Sequence, residues 1–330
     1  MTARRVRAVG LELINWSLVP VEALLTTGLS EPRLPVVFVV GLPRTGTTLT
    51  GQVLATAHRY GYPSNLLARF WRAPALGGYL DRACRRLTGA DRAVGGGSGS
   101  FRSHYGRTSG PWGLHEFGYY WDRWFDRGQT THRLDDAALE AVPADALRRS
   151  LAGLERSLRA PLLFVNNTWC TLQADYLSRE LPRSLFVVCE RDPIWVAQSL
   201  LRGRQERKGD RGSWWSVRPS AFAELRELPW HRQIGGQVAH LMHEQEEALG
   251  RVPVERQVRV GYRDLCRDPG RIAARVREAA ARLQDDASWD GPPSLGGTAS
   301  GLEARDHRRI PEGDLRRLEE GLAAFSEVLP

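Results

Sequence analysis

The sequence predicts an α/β fold: a central, mostly parallel sheet in a three-layer arrangement, flanked by helices and carrying helical insertions. Three observations predict it. The runs PVVFVV (35–40), LLFV (162–165) and SLFVVC (184–189) are apolar and β-branched without polar alternation, so they read as strands buried on both faces. A segment of helical periodicity follows each run, which is the rhythm of a parallel sheet. The first run leads directly into GLPRTGTT (41–48), a glycine-flanked loop at a helix start.

The elements can be taken in chain order. Residues 6–25 have the spacing of an amphipathic helix that packs on the body of the protein. Glu12, Asn15 and Ser17 interrupt its apolar positions, so it is not a signal-peptide core, and no 18-residue apolar run occurs elsewhere. That pattern excludes stable membrane insertion. A helix is expected over 47–57, with helical pieces at 65–72 and 75–87. Residues 88–110 are rich in Gly and Ser and read as a long loop of the lid type. Residues 111–125 are dense in aromatics and form a helix or an irregular wall. Residues 135–159 read as helical. A helix is expected over 171–181, and Asp192 and Pro193 suit the N-cap and first position of another, to about 201. Residues 202–220 read as a charged loop, 221–249 as a long helix and 257–260 as a fourth strand. Helices fill most of the rest, and 290–301 is a Gly/Pro/Ser loop. With neither repeat nor linker, residues 1–330 form one domain.

At 330 residues and 42% hydrophobic content the chain can bury one large core or two small ones. The net charge of +8 comes almost wholly from arginine, Lys208 being the only lysine. Such a charge suits an anionic ligand, and it suits an arginine-rich composition equally. The arginines are interspersed with acids and form no contiguous run, which argues against a nucleic-acid partner. Cys84, Cys170, Cys189 and Cys266 show neither CxxC nor Cys/His spacing. They predict reduced thiols, a cytoplasmic location and no metal.

The chemistry concentrates in two places. Gly41 and Gly46 have the spacing of a P-loop, whose backbone N–H groups and helix N-terminus hold phosphate. A P-loop NTPase has lysine next. This chain has Thr47, and its cation sits inside the loop at Arg44. No acidic residue for Mg²⁺ marks a strand end, so a nucleotide or small-molecule kinase is the weaker alternative. Arg44, Thr45, Gly46, Thr47 and Thr48 suit a single 5′-phosphate bearing a transferable group. The second place is FVVCERDPIWVAQSL, where Arg191 ends a strand and Ser199 lies eight residues on. A forked guanidinium and a hydroxyl there can meet one anion at the mouth of the sheet.

FVVGLPRTGTTL resembles the 5′-phosphosulfate loop of sulfotransferases that use 3′-phosphoadenosine-5′-phosphosulfate (PAPS), many with lysine at the Arg44 position and bacterial ones often with arginine. The resemblance implies a P-loop-like fold and a PAPS donor released as 3′,5′-adenosine bisphosphate. It places Arg44 at the bridging oxygen and Arg191 and Ser199 on the 3′-phosphate. It divides the domain into a 5′-phosphosulfate unit (30–60), a flexible loop and aromatic acceptor-side insertion (88–134), a 3′-phosphate unit (160–203) and a helical C-terminal part (204–330). VRVGYRDLCRDP is similar to a family segment that puts Tyr262 near the adenine, a position that equally suits a core tyrosine. His307-Arg308-Arg309 falls where the family has a late basic loop over the 3′-phosphate.

Sulfuryl transfer needs a group to take the acceptor proton. The family histidine before the Arg/Ser segment is missing from LLFVNNTWCTLQ, where Asn166 occupies a common lysine position and is left to bind the acceptor. PWGLHEFGYYW resembles a Pro-x-Glu element of bacterial relatives, which makes Glu116 the candidate base, with His115 and His104 behind it. Trp112 and Trp169 are candidates for the acceptor wall, or for packing. The expected partner is a small-molecule, natural-product or glycolipid alcohol, less readily an amine, and self-association stays open. A non-catalytic polyanion binder is the remaining alternative.

Overall fold

The computed structural model describes residues 3–90, 108–126, 128, 130–165, 168–284 and 302–330. Helices α1 (Ala3–Ser17) and α2 (Val19–Leu25) precede strand β1 (Val36–Val40) and α3 (Thr47–Ala57). Then come α4 (Pro74–Thr88), α5 (Gly118–Phe125), α6 (Asp136–Glu140), α7 (Ala144–Leu158) and β2 (Leu162–Val165). Next are α8 (Thr168–Leu172), α9 (Ala174–Glu180), β3 (Ser184–Glu190) and α10 (Pro193–Lys208). The chain continues with α11 (Phe222–Leu225), α12 (Trp230–Gly250), β4 (Gln257–Gly261), α13 (Tyr262–Arg267), α14 (Pro269–Ala281) and α15 (Glu312–Ala323).

The four strands form one parallel sheet in the order β2-β1-β3-β4, the α/β architecture expected from the buried runs. Register places Phe38 between Phe164 and Phe186, and their rings stack at 5.6 and 5.4 Å. Val36, Phe38 and Val40 face a core built with α5, α7 and α9. Val37 and Val39 face the opposite core, built with α3 and α14. Both faces are therefore dry, which explains the missing polar alternation. A third core joins α10, α12 and α15. The chain leaves β1 for β2 on one side and returns past it to β3 on the other. The crevice between the C-terminal ends of β1 and β3 is thus the switch point where such sheets bind ligands.

Four local expectations need correction. Residues 65–72 hold only a 3-10 turn at Leu67–Phe70, because the Asn65 and Leu66 N–H groups donate to Gly113 and Pro111. The 171–181 helix breaks at Gln173, whose buried amide bonds the backbone of His132, Leu134 and Trp169. The 221–249 helix divides before Pro229, since proline disfavours a helical conformation at Leu228. The segment read as a charged loop from 202 is helical to Lys208, where Gly209 closes α10 with φ 81°.

The last correction has a physical cause. Arg204 is fully buried, and burial lowers its pKa to about 10. Its guanidinium donates to Gln233 (2.7 Å), Gln237 (3.2 Å) and the Arg211 carbonyl (3.1 Å), and lies over the Trp214 ring. Gln237 in turn donates to the Trp215 and Val217 carbonyls. A charge-rich run has thereby become the inner face of a helix pinning residues 211–217. Arg204→Ala is expected to destabilise the fold by about 3 kcal/mol, through a cavity and stranded acceptors. The urea midpoint checks this, with faster proteolysis near 209–217 as a second readout.

Candidate functional site

The loop between β1 and α3 is held in shape by backbone that few residues tolerate. Gly41 has φ 150°, and a Cβ there would lie 2.7 Å from the Cys189 carbonyl oxygen of β3. Gly46 has φ 98°, and a Cβ there would lie 2.8 Å from the Tyr262 ring. Both positions need glycine for conformation and for space. Arg44 is left-handed at φ 76°, a strain of about 1 kcal/mol of the kind that collects at functional sites. Thr45 is buried, and its hydroxyl and N–H both bond the Leu42 carbonyl, closing the turn. Thr47 and Thr48 open α3, whose first N–H groups lack intrahelical acceptors. No side chain caps this end among the described residues. The Thr171 hydroxyl of α8, 3.3 Å from the Gly41 N–H, steadies the other end.

The two sequence motifs meet at this crevice. Arg44 Nε donates to Ser199 Oγ at 2.8 Å, although the two residues are 155 positions apart. The Ser199 hydroxyl accepts in this contact, so its own proton is not used by it. Arg191 Nη1 donates to the Arg44 carbonyl at 2.8 Å, so Arg191 helps to hold the strained residue. Its Nε pairs with Asp306 at 2.8 Å and its Nη2 with the Arg305 carbonyl at 3.0 Å. A guanidinium has five N–H donors, so two remain for a ligand.

Tyr262 joins both motifs. Its ring packs against Gly46, and the Arg191 guanidinium lies 4.4 Å over it. Its hydroxyl accepts the Arg305 N–H. The late segment 305–309 therefore sits at the site. Gln198 fastens it with both ends of a buried amide, donating to the His307 carbonyl and accepting from the Arg309 N–H at 2.7 Å. Arg309 Nε turns to His307, and Arg308 pairs with Glu312 at the surface. Burial, then the neighbouring guanidinium groups of Arg305, Arg202 and Arg191, hold Arg309 below the usual arginine range. The crevice is crowded with positive charge, and Asp306, bridging Arg191 and Arg263, is the carboxylate bonded within it among the described residues.

Sequence reasoning missed Asp306, Gln198 and Thr171. Gln198 adjoins Ser199 on α10, and its partners lie 109 to 111 residues downstream, so no local pattern signals it.

On the other side of the loop, Gly61 bridges to Leu162 at the β2 edge, and Leu114 bridges to Ser64 just beyond it. The Leu114 side chain meets Gly51 of α3, where Val165 at the end of β2 also arrives. Glu116 follows, half-buried, between buried Leu114 and Phe117. Phe117 has φ 58°, a second left-handed non-glycine residue next to a candidate group. The Phe117 N–H donates to His115 Nδ1 at 2.9 Å, which puts the proton of a neutral His115 on Nε2. Trp112 lies under Arg85 at 5.0 Å. Trp169 is buried, and its indole N–H donates to Asp122 at 2.7 Å, so it packs inside. Asn166, His104 and most of the 88–110 and 290–301 loops lie outside the described residues. No cluster of three His, Cys, Asp or Glu suited to a metal occurs among the described residues, nor a helix long and apolar enough to cross a membrane.

The family model described as "Sulfotransferase family" matches residues 35–283, which include both motifs and Tyr262. The fold is similar to that of sulfotransferase STF9 from Mycobacterium avium, with TM-score 0.51 and 16% identity over 91% of this chain and 70% of that one. It is also similar to sulfotransferase STF1 from Mycobacterium tuberculosis, with TM-score 0.47 and 18% identity over 82% and 72% of the two chains. No curated protein matches the sequence significantly.

Proposed function

This chain belongs to the sulfotransferase family, and we propose that it transfers a sulfuryl group from PAPS to a hydroxyl of a small-molecule, natural-product or glycolipid acceptor. One observation carries the choice of donor. Arg44, in the loop at the helix start, reaches Ser199, while Arg191 holds the Arg44 carbonyl. The crevice thus offers two cationic stations joined back to back, suited to a nucleotide with phosphate at each end.

In this reading the donor supplies the sulfuryl group and a phosphate leaving group. The α3 N-terminus with Thr45, Gly46, Thr47 and Thr48 binds the 5′-phosphate, and Arg191 and Ser199 bind the 3′-phosphate. Tyr262, Arg308 and Arg309 belong to the nucleotide side. Glu116 accepts the acceptor's O–H proton as the new S–O bond forms, with His115 beside it. Arg44 neutralises the charge that collects on the bridging oxygen as the old S–O bond breaks. Trp112 and Asn166 belong to the acceptor side, and no metal takes part. All four cysteines are free thiols, consistent with a cytoplasmic enzyme.

Arg191→Ala is expected to weaken 3′,5′-adenosine bisphosphate by about 100-fold, the loss of two charge-assisted hydrogen bonds. Calorimetric titration checks this, with ATP–Mg²⁺ as the contrasting ligand. Wild-type affinity in the variant, or preference for ATP–Mg²⁺ in the native chain, would sink the proposed donor.

A further inference from the structure

Trp112 and Glu116 belong to a segment, 108–116, that forms neither helix nor strand. Its backbone hangs instead from residues 61–66, which run along the outer edge of β2. The Gly61 N–H donates to the Pro161 carbonyl at 2.9 Å, and its carbonyl accepts the Leu163 N–H at 2.8 Å. Beyond that edge, the Pro63 carbonyl accepts the His115 N–H at 2.8 Å. The Asn65 and Leu66 N–H groups donate to the Gly113 and Pro111 carbonyls, both at 2.9 Å. The Asn65 side chain donates to the Gly110 carbonyl at 2.7 Å. The position of 61–66 is therefore passed on to Glu116, one residue beyond His115.

Residues 61–66 are fixed in turn by a buried ion pair on α4. Asp81 and Arg85 lie one helical turn apart and meet at 2.6 Å, with side chains 2% and 14% exposed. The Ser64 hydroxyl donates to the other Asp81 oxygen and accepts the Leu67 N–H at 3.0 Å. Arg85 Nη1 donates to the Tyr62 hydroxyl at 3.3 Å, and that hydroxyl donates to the Trp112 carbonyl at 3.2 Å. The same guanidinium lies 5.1 Å over the Tyr62 ring and 5.0 Å over the Trp112 ring. One arginine thus engages both segments at once. None of these contacts involves Arg44, Arg191 or Ser199.

We propose that Arg85 is a positioning residue of the acceptor side: it holds Trp112 directly, and Glu116 through residues 61–66, against the edge of the sheet. A buried ion pair adds little net stability over apolar side chains of the same size, so geometry is the better account of this one. A planar guanidinium can serve a carboxylate, a hydroxyl and ring faces together, and an ammonium cannot. The inference rests on the reading that Glu116 takes the acceptor proton.

The test uses two variants that keep the buried charge of Asp81 paired. Arg85→Lys retains the cation and loses the fork and the ring stacking. Tyr62→Phe removes only the hydroxyl relay. With PAPS and 4-nitrophenol as probe acceptor, Arg85→Lys is expected to lower kcat by about 10- to 100-fold, and Tyr62→Phe by a smaller factor. The affinity for 3′,5′-adenosine bisphosphate should stay within about twofold of wild type in both. In a Glu116→Gln background Arg85→Lys should change kcat by less than about threefold, because the group it positions is already gone. Amide hydrogen exchange gives a readout free of turnover. The Asn65, Leu66 and His115 amides should exchange about tenfold faster in Arg85→Lys, with β1 and α3 unchanged. The proposal is overturned if these amides exchange as in wild type, if the loss of rate is the same in both backgrounds, or if nucleotide affinity falls in step with the rate. If Glu116→Gln alone keeps the rate, the base assignment fails, and the three amides still decide whether Arg85 holds the segment.

Discussion

Arg44→Ala is expected to lower kcat by about 1,000-fold at saturating donor, the scale for removing a donor aimed at developing transition-state charge. In the proposed reaction the bridging oxygen becomes a phosphate oxygen with a full extra charge, and Arg44 is the cation that the loop itself supplies. Its left-handed backbone, fixed through the Arg191 contact, is compatible with pre-positioning rather than with a mobile surface arginine. The substitution also frees Ser199 from its Arg44 contact, so donor affinity should fall as well, by a smaller factor. Arg44→Lys keeps the charge and loses the planar fork, and is expected to fall between wild type and alanine. Single-turnover rates with labelled donor separate the chemical step from binding. A variant with wild-type kcat and a raised KM alone would show that Arg44 binds the donor without assisting departure of the leaving group.

Glu116→Gln is expected to lower kcat by about 100- to 10,000-fold, the usual range for removing a general base, with the affinity for 3′,5′-adenosine bisphosphate unchanged. The substitution preserves size and removes only the ability to take a proton. His115→Ala is the control: its ring accepts the Phe117 N–H, so its loss should disturb the local backbone and reduce kcat more modestly. If the glutamine variant keeps the wild-type rate, Glu116 is not the base.

The strands and the loop were legible because their determinants are local. PVVFVV is apolar throughout because both faces of β1 are buried, and the helix after GLPRTGTT begins at Thr47 as read. Arg191 and Ser199 were legible as a spacing, and the structure adds that Ser199 touches Arg44. What stayed hidden depends on distant partners. Nothing in RGRQERK shows that Arg204 is the buried member, since its acceptors come from α12 and the 211 carbonyl. Asp306 stands in a basic run, and only the folded chain brings it to Arg191 and Arg263. Residues 6–25 have the spacing of one amphipathic helix, whereas the structure divides them at Leu18 into α1 and α2 and buries Asn15 and Glu22 in place of the apolar positions. Residues such as Asn15 look like interruptions of an apolar stripe until their backbone partners are known.

The join between Arg44 and Arg191 spans 147 residues, and it has a consequence during synthesis. At about 5–20 residues per second, a ribosome needs roughly 7–30 s to travel from one arginine to the other. Throughout that interval β1 has emerged without β3, its central neighbour, and its five buried residues have no finished sheet to enter. The nascent chain therefore carries a bare hydrophobic strand for far longer than a hairpin takes to close. The same long-range pairing that assembles the crevice leaves the first strand exposed until its central partner has been made.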